Sequence, residues 1–431
     1  MDLSLLWYAV PMVAVTCAYL VLHKRSERLT AEKKAASIAA GLHEPVSLHP
    51  KIDPHKCLGC GACVSACPEG DVLGLIHGKA ELIAASQCVG HGACRTACPS
   101  GAIELVFGTE KRGVELPNVG SDFQTNVPGL YVAGELGGMG LIKNAVEQGR
   151  QTIANIGKTE RVPTAEYDVV IVGAGAAGIS ASLAAKERKL RYLTLEQNTL
   201  GGTIAHFPRG KVVMTAPAQL PLVGKVKFRE IGKEALLKFW TGVAKEHCLE
   251  ISSGERVDSI ERHDGMLVIK TDSRTVTAGA VILAVGRRGT PRRLGVPGEE
   301  LTKVVYSFIE PEQYQDKRVL VVGGGDSALE AAATLAEETN AEVTLCYRND
   351  AFARPKAKNR ERIQAAVAAE RLTVRLSTDV VEISIDTVRL TTNGTEFNLK
   401  NDAVIVCVGG ILPTEFLKKA GIHVETKWGT A

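Results

Sequence analysis

The hydrophobic pattern opens with twenty uncharged residues, Leu3 to Leu22. At 1.5 Å per residue they make about 30 Å of helix, the thickness of a bilayer's hydrocarbon core. The basic run His23-Lys24-Arg25-Ser26-Glu27-Arg28 follows directly, whereas Asp2 stands in front. Positive charge stays inside, which predicts one transmembrane anchor over residues 1–25 and a main body on the cytoplasmic side of the plasma membrane. Trp7, Tyr8 and Tyr19 fall near the two interfaces, and Pro11 is tolerable in a membrane helix. A cleaved signal would want basic residues ahead of the apolar run and a small-residue site behind it. A buried or partner-covered helix is the other reading. Residues 26–50 mix charged and small residues before Pro45 and Pro50 and read as a short helix plus linker.

Farther along, short apolar runs alternate with helix-like stretches. Tyr167–Val172 enters Gly173-Ala174-Gly175-Ala176-Ala177-Gly178, a helix-like stretch runs from Ile179 to Arg188, and the next apolar run, Arg191 to Leu195, ends in Glu196. Strand, glycine loop, helix, strand and acid in this order are the context of a dinucleotide site. Gly173 would make the turn, Gly175 admit a pyrophosphate, Gly178 let helix and strand close up, and Glu196 take a ribose hydroxyl. The pattern repeats at Arg318–Val322, Gly323-Gly324-Gly325-Asp326-Ser327-Ala328 and Glu342–Tyr347. No acid closes this second unit; Arg348 and Arg354 follow instead. Guanidinium groups there suit a 2'-phosphate and favour NADPH over NADH, with a solvated basic loop as the plain alternative. The alternation predicts an α/β chain with two Rossmann-like dinucleotide-binding domains.

Length and charge add bounds. With 431 residues the chain holds two or three domains, and 51 basic against 48 acidic residues leave no reason to propose nucleic acid. Cysteine changes the picture. Seven of the eleven lie in two runs, Cys57-x-x-Cys60-x-x-Cys63-x-x-x-Cys67-Pro68 and Cys88-x-x-His91-x-x-Cys94-x-x-x-Cys98-Pro99. Thiolates at this spacing reach the corners of an iron-sulfur cluster. Zinc would want paired knuckles of four ligands, and disulfides an oxidising compartment. The other cysteines, Cys17, Cys248, Cys346 and Cys407, form no dithiol motif, which fits a reducing cytoplasm.

The cysteine segment resembles a two-cluster bacterial ferredoxin, a small α+β fold. The resemblance implies one [4Fe-4S] cluster on Cys57, Cys60, Cys63 and Cys98. A second is implied on Cys67, Cys88 and Cys94. His91 stands where the family has cysteine; it either completes a four-iron cluster, the slightly favoured reading, or leaves a three-iron one.

The glycine loops, with Gly201-Gly202-Thr203, Ile282-Leu283-Ala284-Val285-Gly286 and Val408-Gly409-Gly410, resemble the thioredoxin-reductase-like branch of two-dinucleotide flavoproteins. That likeness implies FAD on Gly173, Gly175, Ala176, Ala177, Gly178, Glu196, Gly202, Thr203, Ala284 and Gly286. It implies NAD(P)H on Gly323, Gly325, Asp326, Ser327, Arg348, Arg354 and Gly409. In that branch the chain ends with Val-Pro-Gly-Leu-Tyr-Val-Ala-Gly-Asp, whose acid holds the flavin. Here the segment lies upstream, from Asn126 through Gly134 to Glu135, with a helix-like stretch from Ile142 to Ile156. It reads as a circular permutation of the flavin domain, with a new break between Ala431 and about Phe107. The alternative is an unrelated linker.

The expected layout is anchor 1–25, linker 26–50, dicluster ferredoxin domain 51–106, permuted flavin segment 107–160, FAD domain 161–292, NAD(P) domain 293–409, and the remainder of the FAD domain 410–431. Disulfide reduction is disfavoured, because Ala176 and Ala177 stand where a related reductase carries its thiol and the nicotinamide domain has no Cys-x-x-Cys. The expected activity is that of an FAD-dependent NAD(P)H oxidoreductase passing electrons between nicotinamide and two clusters, and on to a redox partner protein or membrane carrier. No acid-base constellation is required. His206, Arg209 and Lys211 read as surface residues before flavin-site ones. Association as a homodimer is a further expectation. Two other classes stay open: an electron-transfer subunit of a larger respiratory assembly, and a flavin reductase of a small molecule.

Overall fold

The computed structural model describes residues 3–429 apart from 40–41, 46–47, 111–112, 139, 158–161, 208–211, 215–216, 229, 288, 309 and 353–354, with side chains from Met12 onward. The chain divides into two compact units, Met1–Gly113 with Trp428–Ala431, and Val114–Lys427.

The first unit begins with one helix, Leu3–Ala39. No helix among the described residues is long and apolar enough to cross a membrane. The expected transmembrane anchor over residues 1–25 is therefore not supported among the described residues. Nor does the helix give way to a linker after residue 25. Residues 26–39 are rich in helix formers, hold an Arg28–Glu32 pair at 2.9 Å, and contain neither glycine nor proline. This half lies against the hairpin Leu73–Ile76 and Lys79–Leu82. Glu27 accepts from the Gly78 N–H at 2.9 Å, Lys33 pairs with Asp71 at 2.6 Å, and Lys34 pairs with Glu81.

The remainder of this unit is a doubled motif. Strands His49–Ile52 and Ile103–Val106 pair antiparallel, and two five-residue helices, Ala62–Ala66 and Ala93–Ala97, each follow a cysteine loop. Each helix starts after a left-handed glycine, Gly61 (φ 73°) or Gly92 (φ 75°), a conformation that costs glycine no steric strain.

The second unit contains two sheets of the doubly wound kind. The first runs Ile251–Ser253, Tyr192–Glu196, Tyr167–Val172, Thr275–Leu283, Met266–Thr271, Val257–His263. Its first four strands are parallel and the last two antiparallel. Leu130–Val132 adds to it in parallel register, with Leu130 opposite Val281 and Val132 opposite Leu283. These strands are apolar throughout because both faces are covered: Val169, Val170, Ile171 and Ile282 are fully buried. The second sheet, Val304–Val305, Ala403–Val406, Arg318–Val322, Glu342–Cys346, Leu372–Arg375, is wholly parallel. An antiparallel three-stranded sheet, Thr378–Ile383, Thr387–Thr392 and Thr395–Lys400, accompanies it.

A further pair joins distant parts of the chain. Val114–Pro117 lies antiparallel to Val424–Lys427, with Val114 opposite Lys427. Asn126 secures it by donating to Gly421 O and accepting from His423 N–H, both at 2.8 Å.

Candidate functional site

The thiols of the first unit ring two separate cavities. Cys57, Cys60, Cys63 and Cys98 line one of about 300 Å³. Cys67, Cys88, Cys94 and His91 line the other, of about 350 Å³, together with Glu69. These are the two sets of side chains expected above. The helices carry the chain from Cys63 to Cys67 and from Cys94 to Cys98, and the second cysteine of each pair faces the other cavity. Glycine is required where the loops turn, since a Cβ on Gly59 would sit 2.1 Å from Gly78 O and one on Gly90 2.9 Å from Leu48 O. Among the described residues no three His, Cys, Asp or Glu side chains converge where a single metal ion would sit. Donors spread around a cavity suit a cluster, which has width of its own, better than a tetrahedral zinc ion.

Burial pushes the Cys63, Cys88 and Cys94 thiols up, and at Cys88 the neighbouring Cys94, Cys67 and Glu69 add to it. Free thiolates are thus disfavoured here until iron supplies positive charge. Cys98 goes the other way, held below the ordinary thiol value chiefly by its hydrogen bond with Ser100, at 3.6 Å. The Ala80 N–H donates to Cys57 Sγ at 3.4 Å. His91 Nε2 lies 3.7 Å from Glu69 Oε1.

In the first sheet, Gly173 turns at φ 107°, where a Cβ would lie 2.6 Å from Ala284 O, and a Cβ on Gly178 would lie 1.8 Å from Gly173 O. A Cβ on Gly175 would meet only Gly202 Cα, at 3.8 Å, so the middle of the loop is open to a ligand. The helix Ala176–Glu187 begins here, its first N–H groups directed to that opening. Buried Glu196 accepts from the N–H of Ala174 at 2.8 Å and of Asn198 at 2.9 Å. Ala177 is buried, and neither it nor Ala176 offers a sulfur.

The upstream segment reaches this loop. Gly134 donates to Gln148 Oε1 at 2.7 Å, and a Cβ on Gly286 would sit 3.8 Å from Thr203 Oγ1 and 3.9 Å from Glu135 Oε2. Glu135, Thr203 and Gly286 therefore meet. Burial raises the Glu135 carboxyl, and the Arg287 guanidinium and N–H oppose that rise. Arg287 and Gln148 are the residues that sequence reading missed. Arg287 had a signal in following Gly286 directly; Gln148, inside a helix, had none.

In the second sheet a Cβ on Gly323 (φ 144°) would meet Cys407 O at 2.4 Å, and one on Gly324 would enter the Tyr347 ring at 2.3 Å. Gly325 faces open space. Asp326 is engaged within the protein, accepting from Lys356 N–H at 2.9 Å and Asn359 Nδ2 at 2.7 Å. Ser327 and Arg348 are exposed. Gly409 accepts from Arg292 N–H at 2.9 Å. Arg354, Arg209 and Lys211 lie outside the described residues.

Glycines that only a missing Cβ permits, each opening onto a helix start, fit dinucleotides in both sheets. Residues 170–430 match the model of the pyridine nucleotide-disulphide oxidoreductase family, and 49–99 match that of the 4Fe-4S dicluster domain. The chain belongs to the pyridine nucleotide-disulphide oxidoreductase family. Similar proteins include the bacilliredoxin reductase Bdr of Bacillus subtilis, 28% identical over 268 residues, which covers 60% of this chain and 82% of that protein. The ferredoxin–NADP reductase of Metallosphaera sedula is 32% identical over 282 residues, covering 62% and 77%. Among solved structures, the bacillithiol disulfide reductase of Staphylococcus aureus aligns with a TM-score of 0.54 and 27% identity, covering 59% of this chain and 80% of that one. The chain is an FAD-dependent NAD(P)H oxidoreductase that carries a 4Fe-4S dicluster domain.

Proposed function

We propose that this protein moves electrons between a nicotinamide nucleotide and two iron-sulfur clusters held in its own chain, and exchanges them with a redox partner protein or carrier. The observation that carries the reading is the pair of thiol-ringed cavities in a module continuous with a flavin fold whose helix start, Ala176-Ala177, has no cysteine. Bound FAD takes hydride as a pair and releases electrons singly, which suits clusters that each hold one.

The protein's own residues bind and orient. Gly173 to Gly178 and the helix behind them hold a pyrophosphate, with Gly202 and Ala284 bounding the loop. Glu196 has lone pairs left for a ribose hydroxyl, and Glu135, beside Thr203 and Gly286, takes the flavin side chain. Gly323 to Ser327 receive the nicotinamide nucleotide, and exposed Arg348 favours NADPH. Cys57, Cys60, Cys63 and Cys98 ligate one four-iron cluster; Cys67, Cys88, Cys94 and His91 ligate the other. The flavin domain is circularly permuted, a reading supported by the strand Leu130–Val132 beside Thr275–Leu283 and by a family match that begins only at residue 170.

Location is a separate part of the proposal. Met12, Val13, Val15, Leu20, Val21 and Leu22 are exposed on the first helix, ahead of the basic run, which supports attachment of this helix to a membrane with the main body on the cytoplasmic side. Sedimentation with membranes, lost on deleting residues 1–25, is the expected result.

Anaerobic titration of the reconstituted full chain with NADPH or NADH, followed by absorption and EPR, tests the wiring. Bleaching of the flavin and appearance of reduced-cluster signals with one nucleotide is expected. Flavin reduction that leaves both clusters oxidised, even when their potentials permit transfer, rules the proposal out.

A further inference from the structure

The two loops are repeats in all but one ligand position. Cys57, Cys63 and Cys67 recur as Cys88, Cys94 and Cys98, whereas Cys60 recurs as His91. The imidazole has a neighbour that a thiol would not need. Glu69, which follows Cys67-Pro68 in the first run, lines the same cavity as His91 from the second, with Nε2 and Oε1 3.7 Å apart. Both side chains are about one-third exposed or less, at 27% and 32%.

We propose that Glu69 is the positioning residue for His91, accepting from Nε2–H so that Nδ1 presents its lone pair to the second cluster. The inference rests on the reading that Cys67, Cys88, Cys94 and His91 hold that cluster. A neutral imidazole has one N–H and one lone pair, and the acceptor on one nitrogen decides which tautomer the other offers to a metal. Ligating histidines commonly give their second N–H to a carboxylate, which fixes ring orientation and raises ligand basicity. The 3.7 Å separation is a close contact, longer than a hydrogen bond. Ligation of Nδ1 gives Nε2 its proton and the carboxylate its donor. A cysteine at this position would dispense with the acceptor, which ties Glu69 to the substitution of histidine for cysteine.

The test uses the full chain reconstituted anaerobically with 15N-histidine, as wild type, Glu69→Ala, Glu69→Gln, His91→Ala, His91→Cys and the double variant Glu69→Ala/His91→Cys. Pulsed EPR reads histidine nitrogen coupled to a reduced cluster, EPR of the oxidised samples reads three-iron cluster, and the first cluster reports folding in each sample. Wild type and Glu69→Gln, which keeps an oxygen acceptor, are expected to show the coupling. Glu69→Ala is expected to lose it, gain a three-iron signal, and bind the fourth iron roughly 10–100-fold more weakly. In the His91→Cys background, Glu69→Ala is expected to change nothing. Coupling that disappears in His91→Ala but survives unchanged in Glu69→Ala overturns the positioning role and leaves His91 ligation intact. Absence of histidine coupling in wild type, with His91→Ala spectrally unaltered, overturns the ligation reading itself. Loss of the fourth iron in Glu69→Ala but not in His91→Ala makes Glu69 the ligand and overturns the proposal.

Discussion

Ser100 and Ala80 each place a donor against a sulfur of the first thiol set, on Cys98 and Cys57 respectively. In the second set the Gly90 backbone hydrogen-bonds to Cys88 and the Arg95 backbone to Cys94, while Cys88 also faces Leu48 O at 3.8 Å and the Glu69 carboxylate is close by. Hydrogen bonds to cluster sulfur stabilise the more negative, reduced state and so raise the potential of the cluster they touch. Ser100→Ala is accordingly expected to lower the first cluster's potential by roughly tens of millivolts and leave the second unmoved. EPR-monitored redox titration checks this; equal shifts in both clusters would assign the effect to general loosening. The eight positions that line the two cavities were legible from their spacing together with the ferredoxin resemblance, because three-residue intervals on a tight loop leave side chains few directions. The neighbours were not. Ser100 lies two residues from Cys98, but Glu69 reaches His91 across 22 positions, and no local pattern announces that.

At the scale of elements, two helices show how closely the upstream segment is fitted to the flavin loop. Ile142–Ile156 crosses Ala176–Glu187 at Gly149, where a Cβ would lie 2.2 Å from Ala177 O, and Ser180 Oγ donates to Val146 O at 2.7 Å. Backbone on the receiving side cannot yield as a flexible side chain would. Gly149→Ala should therefore cost about 1–3 kcal/mol and, by displacing the first turn of the pyrophosphate helix, weaken FAD retention. Thermal melting and flavin content after gel filtration measure both; an unchanged melting temperature would show that the helices separate freely. Both helices were legible as helix-like runs. Their contact was not, since Gly149 looks like an ordinary helix-weakening residue until its neighbour is known. The first helix, Leu3–Ala39, differs in the opposite sense. Hydropathy divided it at residue 25, but backbone hydrogen bonding continues wherever no proline or glycine interrupts, and charge alone does not end a helix.

For the whole molecule, the pair Val114–Pro117 and Val424–Lys427 has the geometry of a hairpin whose turn has been removed: residue 427 leaves opposite residue 114. A short turn between Lys427 and Val114, with new ends opened between residues 160 and 161 and residues 1–113 and 428–431 omitted, should restore an unpermuted flavoprotein. That chain is expected to bind FAD and reduce an artificial acceptor with NAD(P)H, without iron. Failure to bind FAD, where the intact protein binds it, would show that the flavin unit depends on the cluster module. The sequence by itself determined what short-range geometry dictates: cysteine spacing, glycine loops, the order of strands and helices, and the displaced motif ending at Glu135. The tertiary structure decided that Leu130–Val132 joins a strand some 150 residues away, and that Glu135, Thr203 and Gly286 meet while Glu69 faces His91. Those are outcomes of burial and pairing between distant segments, and the free energy that selects them belongs to the assembled core, not to any stretch of chain read alone.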